Sequence, residues 1–219
     1  NRNVINDSCE QAAYIIKNCM DVSDRVNLMA YWHALDTYSY YYDTDCVLNG
    51  DSGLITGDGI CKPSFFAFWF LNRIQSNLLK KTAHAMVTGN GRNNYTIVCH
   101  NYKKLTSRYV FSEENINQYT DDEDSLNLKF CFHNIKNGKY QIKQYYVNRK
   151  NGSVQDLWRQ LGYSRELENS EIDYLKSVSM PGMKMETVQV KNGILTLENI
   201  IMPQEIRMIE ILYRYSYPE

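Results

Sequence analysis

The sequence predicts a mixed fold: the C-terminal end of a (β/α)8 TIM barrel, its last one or two βα units, followed by an antiparallel β-sandwich with short inserted helices. Three observations carry that prediction. From Leu28 the chain opens a short apolar run, LMAYW, which breaks at polar His33 and Asp36. A tyrosine-crowded loop and a glycine-punctuated turn then lead to Lys62-Pro63 and an aromatic helix. Beyond Lys81 the pattern changes to alternating apolar and polar segments separated by turn residues. Strand, long loop and helix form a βα unit, whose loop after the strand carries chemistry in a barrel. Regularly spaced alternating strands argue for a sandwich. The predicted boundaries are 1–80 for the barrel end and 81–219 for the accessory β-sandwich.

In chain order, Asn6-Asp7-Ser8 offers short polar side chains to cap a helix. CEQAAYIIKNCM then sets Cys9, Ala12, Ala13, Ile16, Cys19 and Met20 on one helical stripe. A polar break follows, and Leu28 to Trp32 reads as a strand buried on both faces of a parallel sheet. Barrel binding groups sit at the C-terminal end of such a strand, which selects Trp32, His33 and Asp36. Trp32 filling the barrel core and Asp36 capping a turn are the structural alternatives. Tyr38, Tyr40, Tyr41 and Tyr42 make either a self-packed loop or a platform on which pyranose faces stack. Gly50, Gly53, Gly57 and Gly59 are spaced too irregularly for a phosphate-cradling loop.

Pro63 suits a first helical turn, and SFFAFWFLNRI continues it, with Phe66, Phe70 and Ile74 on one face and Trp69 beside them. The helix is expected over Ser64 to Leu79, in a core role. NNYTIVCHNY, SLNLKFCFHNI, KYQIKQYYVN, ILTLENI and IRMIEILYRY read as strands, with Asn137-Gly138 and Asn192-Gly193 as two-residue turns. SVQDLWRQLGY and NSEIDYLKSV are short helices. The acidic run Asp121 to Asp124 is a loop without EF-hand spacing. The helices at Ser8 to Met20 and Ser64 to Leu79 are expected to shield part of the sheet or to mediate dimer contacts.

Composition excludes several classes. Hydrophobic residues at 43% and charged residues at 22% of 219 supply a normal core. A net charge of -1 gives no basic footprint for nucleic acid. No apolar run approaches the roughly 20 residues of a membrane span. Cys9, Cys19, Cys46, Cys61, Cys99 and Cys131 form no CxxC pair and have no metal spacing with His33, His84, His100 or His133. They read as buried free thiols of a cytoplasmic protein. Eighteen tyrosines suit sugar stacking or interfaces.

Four stretches, NDSCEQAAYIIKN, AYWHALD, GLITGDGICKPSFFAFWFLNRI and the terminal sandwich, together resemble glycoside hydrolase family 39, the β-xylosidase and α-L-iduronidase family. Gly53-Leu54, Asp58-Gly59-Ile60, Lys62-Pro63, Ala67-Phe68 and Leu71-Asn72 keep that family's order and spacing. NGSVQDLWRQLG, EIDYLKSVSMPG and MPQEI are similar to family 39 modules of AraC-type transcriptional regulators of Gram-positive bacteria, which also carry cupin-like and helix-turn-helix domains. The resemblance implies retaining hydrolysis by two carboxylates. In the family both lie on barrel strands four and seven, so no catalytic residue is assigned and the 219 residues alone are expected to be inactive. The family's eighth-strand loop contributes a tryptophan, matched by Trp32, and two glutamates whose positions fall on Ser39 and Tyr40. Trp32, His33, Asp36, Ser39 and Tyr40 are the implied sugar-binding positions. Neither metal nor cofactor is implied. The expected partner is a xylose-like sugar or oligosaccharide, with no direct nucleic-acid or membrane contact and a homodimer left open. The reading is a carbohydrate-sensing part of a regulator. The alternatives are part of an active β-xylosidase or a structural and oligomerisation scaffold.

Overall fold

Apolar residues on both faces of the central strands divide the core into two layers. A computed structural model describes residues 3–36, 46–107 and 124–215. A 3-10 turn at Val4–Asp7 leads into α1 (Cys9–Val22), and α2 (Pro63–Leu71) follows a long loop. Then come β1 (Asn77–Lys81), β2 (Ala85–Gly89), β3 (Tyr95–His100), β4 (Leu126–Phe132) and β5 (Gly138–Val147). The remainder is α3 (Val154–Gln160), α4 (Asn169–Val178), β6 (Gly182–Val190), β7 (Leu195–Ile201) and β8 (Ile206–Arg214). Six strands form an antiparallel sheet in the order β1-β2-β3-β8-β5-β6, and β4 pairs with β7 in a second sheet.

Strand periodicity sends successive side chains to opposite faces. In β3, Ile97 joins Ile142, Ile209, Ile211, Leu195 and Leu197 beneath the small sheet. Its neighbour Val98 joins Met208, Ile206 and Val147 beneath the helices. There α1 contributes Ala12, Ala13, Ile16 and Met20, and α2 contributes Phe66, Ala67 and Phe70. The helices therefore cover one face of the sheet that the small sheet covers on the other. Each fully buried aliphatic side chain contributes about 1.5–3 kcal/mol. β8, with four such residues divided between the layers, holds the two together.

Several expectations change. Leu28 to Trp32 is not a strand: it is irregular, and Leu28 is 84% exposed. A doubly buried parallel strand needs hydrogen-bonded neighbours, and no described residue pairs with this run; a single parallel bridge joins Leu35 to Ile55. The aromatic helix ends at Leu71, where Asn72 N–H closes on the Phe68 carbonyl and the Arg73 guanidinium folds back 3.8 Å over the Trp69 ring. Ile74 lies beyond the helix, and Asn77 to Leu79 belong to β1, so the sheet takes in the end of the 1–80 segment.

The two Asn-Gly turns also act differently from simple hairpins. Asn137-Gly138 does not pair the flanking strands, since β4 joins β7 while β5 lies between β6 and β8. Asn137 instead accepts the Gly193 N–H at 2.7 Å, docking one turn on the other. Asn192 and Gly193 both have positive φ, 58° and 67°, as a type I′ turn requires. Around them a single bridge, Lys191 to Ile194, precedes the separation of β6 and β7 into different sheets. The structure adds β1, β2 and β6 to the expected strands; β6 is exposed on both faces over residues 183–187.

Candidate functional site

The three stretches with the strongest sequence signatures converge on one buried ammonium. Thr56 to Ile60 folds into a tight turn: Thr56 N–H reaches the Ile60 carbonyl at 2.9 Å, and Gly59 N–H reaches the Thr56 carbonyl at 2.9 Å. The turn returns the chain so that Lys62 N–H donates to the Leu54 carbonyl. Leu54 and Ile55 N–H donate to the Ala34 carbonyl at 3.0 and 3.1 Å, and Asp36 N–H donates to the Ile55 carbonyl at 2.8 Å. This clasp presses Gly53 against the Leu35–Asp36 backbone so closely that a Cβ would overlap the Asp36 carboxylate.

Lys62 precedes Pro63 at the start of α2, but its side chain runs into the interior. Its Nζ lies 2.6 Å from Asp7 Oδ1 and 2.5 Å from Asp36 Oδ2, and donates to the Asp51 carbonyl at 3.0 Å. Asp7 Oδ2 accepts the Gly50 N–H at 2.7 Å. Asn3 N–H and the Asn6 side-chain amide both donate to the Gly50 carbonyl at 3.0 Å. Burial pushes the Asp7 and Asp36 carboxyls above the ordinary aspartate value, against the pull of Lys62. Burial acts on Lys62 toward the neutral amine, but the two carboxylates outweigh it and hold the ammonium above its usual value. The triad ties the 3-10 turn, the loop after Trp32 and the start of α2 to one point.

The predicted site residues therefore separate. Asp36 points inward and its side chain is only 3% exposed, committed to Lys62. Trp32 stands outward at 81% exposure, edge-on to the His33 ring with centroids 5.4 Å apart. His33 is fixed beneath it, Nδ1 3.1 Å from the Leu35 carbonyl and Nε2 3.4 Å from Ser52 Oγ. Tyr31 turns the other way, its ring against Phe68. Exposed Leu28, Met29 and Leu35 flank the tryptophan in sequence. Ser39 and Tyr40, with Tyr38, Tyr41 and Tyr42, lie outside the described residues, as do residues 121–123 of the acidic run.

The sequence reading did not single out Lys62 or Asp7. Asp7 is an ion-pair partner and not a helix cap; Asn3 caps the 3-10 turn, and Ser8 donates its hydroxyl to the Ile5 carbonyl at 2.6 Å. The available signal was that Asp7, Asp36 and Lys62 each lie in a separate one of the motifs that carry the family resemblance. Of the six free cysteines, Cys9 and Cys99 are buried, and burial raises both thiols, Cys99 to about 12. No three metal-ligating side chains cluster among the described residues, and no described helix is long and apolar enough to cross a membrane.

The family model for glycosyl hydrolases family 39 matches residues 1–196. A beta-xylosidase of Geobacillus stearothermophilus is 24% identical over 209 residues, covering 95% of this chain and 38% of that protein. An uncharacterized HTH-type transcriptional regulator of Staphylococcus aureus is 22% identical over 208 residues, covering 95% of this chain and 27% of that protein. The chain thus spans well under half the length of these curated relatives. Among solved structures, the GH39 enzyme from Xanthomonas axonopodis pv. citri superposes with a TM-score of 0.85 at 17% identity, covering 97% of this chain and 42% of that one. A monomeric beta-xylosidase from Caulobacter crescentus CB15 also gives 0.85, at 20% identity, covering 97% of this chain and 43% of that one. At these identities the structural likeness speaks for the fold. With its family model matched across most of its length, the chain belongs to the glycosyl hydrolases of family 39.

Proposed function

We propose that the chain is the C-terminal part of a β-xylosidase-like module that serves as the carbohydrate-sensing part of an AraC-type transcriptional regulator in the cytoplasm. In this reading residues 1–80 supply the end of a (β/α)8 barrel, and residues 81–219 are the accessory sandwich, whose sheet also takes in Asn77 to Lys80. The carrying observation is the exposed Trp32 ring beside His33, on a loop whose base is locked by the Lys62–Asp36 pair. An exposed aromatic face suits a sugar ring, whose apolar face stacks on it while polar neighbours take its hydroxyls. Retaining hydrolysis needs two carboxylates at the scissile bond. Asp36, the carboxylate nearest Trp32 in sequence, is withdrawn into an ion pair. Ser39 and Tyr40, which stand where the family's loop has glutamates, cannot supply charge. The change at Ser39 and Tyr40 favours binding without cleavage, whereas Asp36 is not among the carboxylates the family uses for hydrolysis and serves to hold the loop.

The experiment is a titration of the full-length parent and of the 219-residue chain with xylobiose, read by calorimetry, for wild type and Trp32→Ala. Saturable binding that weakens at least about 5-fold in the variant supports the reading, since aromatic stacking is worth on the order of 1 kcal/mol. Equal affinity in both proteins overturns it. The second reading, an active glycoside hydrolase, draws on the similarity to a beta-xylosidase. Release of nitrophenol from an aryl xyloside by the full-length parent would select it.

A further inference from the structure

Strand β6 ends the larger sheet, and no strand among the described residues pairs with its outer side. β1, at the opposite edge, is five residues long and shifts register against β2 between Leu78 and Lys80, which makes it a poor template. β6 runs nine residues in unbroken register with β5, from Gly138↔Val190 to Tyr146↔Gly182. Met183, Lys184, Met185, Glu186 and Thr187 are all exposed, so neither the helix layer nor the small sheet extends over this part of the strand, whereas Val188 and Val190 pack with Leu195 and Leu197 of the small sheet. Met183 lies beside Tyr145 on the helix side, and Glu186 lies beside the buried Ile142 on the other.

The sequence here is complementary to itself. Two copies of β6 placed antiparallel about a twofold axis at Met185 set Met185 against Met185 and Met183 against Thr187. The same register sets Lys184 of each copy opposite Glu186 of the other. A twofold axis normal to the sheet keeps each sheet face on its own side, so the register can slip only to a centre on a neighbouring residue. Centring on Lys184 sets Lys184 against itself, and centring on Glu186 does the same with Glu186. Directly opposed like charges destabilise a strand pair, whereas opposite charges and apolar pairs favour it. Charge thus excludes the two neighbouring registers, and the one centred on Met185, which pairs both Lys184 and Glu186 with opposite charges, closes on itself as a twofold contact should.

We propose that β6 is a homodimerisation edge, at which a second copy of this chain pairs antiparallel about Met185 and joins the two six-stranded sheets. The pairing satisfies the outward backbone groups of β6 and covers its exposed methionines, the two liabilities of an open edge strand.

The test is sedimentation equilibrium of the 219-residue chain, with charge variants at surface positions whose folding is checked by circular dichroism. Wild type is expected to dimerise. Lys184→Glu and Glu186→Lys each place two like pairs in the interface and should weaken self-association at least 10-fold. The double exchange K184E/E186K restores both pairs and should recover the wild-type dimer. Mixing the two single variants should give a heterodimer tighter than either homodimer. A wild type that stays monomeric at high micromolar concentration overturns the proposal. So does a dimer indifferent to both single exchanges, or a double variant as weak as the singles.

Discussion

The Lys62 ammonium lies 2.5 Å from Asp36 Oδ2, and neither side chain is more than 3% exposed. With Asp7 on its other side, Lys62 is the cation that makes two buried carboxylates tolerable. Taking one partner from a buried ion pair leaves an uncompensated charge and costs about 3–5 kcal/mol. Lys62→Met should therefore lower stability in urea unfolding at pH 7 by about that amount. The sign of its pH dependence follows from the carboxyls. Their folded-state affinity for protons is already raised by burial, and losing Lys62 raises it further. A raised carboxyl favours the folded state below the unfolded aspartate value and loses that contribution as pH rises through the folded one. The variant's deficit should thus be smaller at pH 5 than at pH 7, and an equal deficit at both would contradict the triad.

Gly53 and Gly57 stand four residues apart in one motif and should behave oppositely. A Cβ on Gly53 collides with Asp36 Oδ1 and with the Leu35–Asp36 backbone, which no rotamer change relieves. A Cβ on Gly57 meets nothing nearer than the Asp36 carbonyl at 3.7 Å. Gly53→Ala should cost about 2–3 kcal/mol through overpacking, whereas Gly57→Ala should stay within about 0.5 kcal/mol of wild type. Thermal unfolding of the two variants side by side checks this contrast.

His100, only 2% exposed, supplies an acid-side sensitivity. Burial first, then the neighbouring His84 and Lys17, lowers its pKa to about 4, with Asp21 opposing. A lowered histidine is neutral in the folded chain while the unfolded chain takes the proton. Its contribution is full above the unfolded value of 6.5 and is lost as pH falls toward about 4. Between pH 7 and pH 4.5 the expected loss is about 2.5 kcal/mol. His100→Gln should flatten the pH dependence of stability by roughly that amount, measured as urea midpoints across the range.

Trp32 should matter to ligand and not to folding. At 81% exposure its truncation leaves no cavity, so Trp32→Ala is expected to change stability by no more than about 0.5 kcal/mol. Trp158, 2% exposed and donating its indole N–H to the Ser164 carbonyl at 2.7 Å, is the contrast. Trp158→Ala should cost about 3–5 kcal/mol in the same denaturation experiment. Comparable losses for the two tryptophans would place Trp32 in a packed site.

Local periodicity was enough for most elements. The stripe of Ala12, Ala13, Ile16 and Met20 needs only helical spacing to be recognised, and all four pack on the sheet. The alternation in β7 matches its burial from Leu195 to Glu198, then fails at a buried Asn199 and an exposed Ile200. Family membership was also legible, because the Gly53 to Asn72 motif keeps its order and spacing in one contiguous stretch.

Partnership across the chain was not legible. Leu28 to Trp32 has the composition of a buried strand, but burial requires neighbours, and composition does not say whether they are present. The Asn137-Gly138 signal specifies a turn; which strands it joins is decided by the two apolar faces of β8 and β5, which draw successive strands into different sheets. Asp7, Asp36 and Lys62 look in sequence like a cap, a candidate sugar ligand and a residue before proline. Only the folded chain brings their charges within 3 Å, because the energy of a buried ion pair depends on the distance between groups and on the water removed around them, neither of which is local in sequence. So the sequence by itself determined most of the elements and the family, while the tertiary structure decided that Leu28 to Trp32 is not a strand, that the Trp32 ring stands exposed and that Asp36 holds the loop from within.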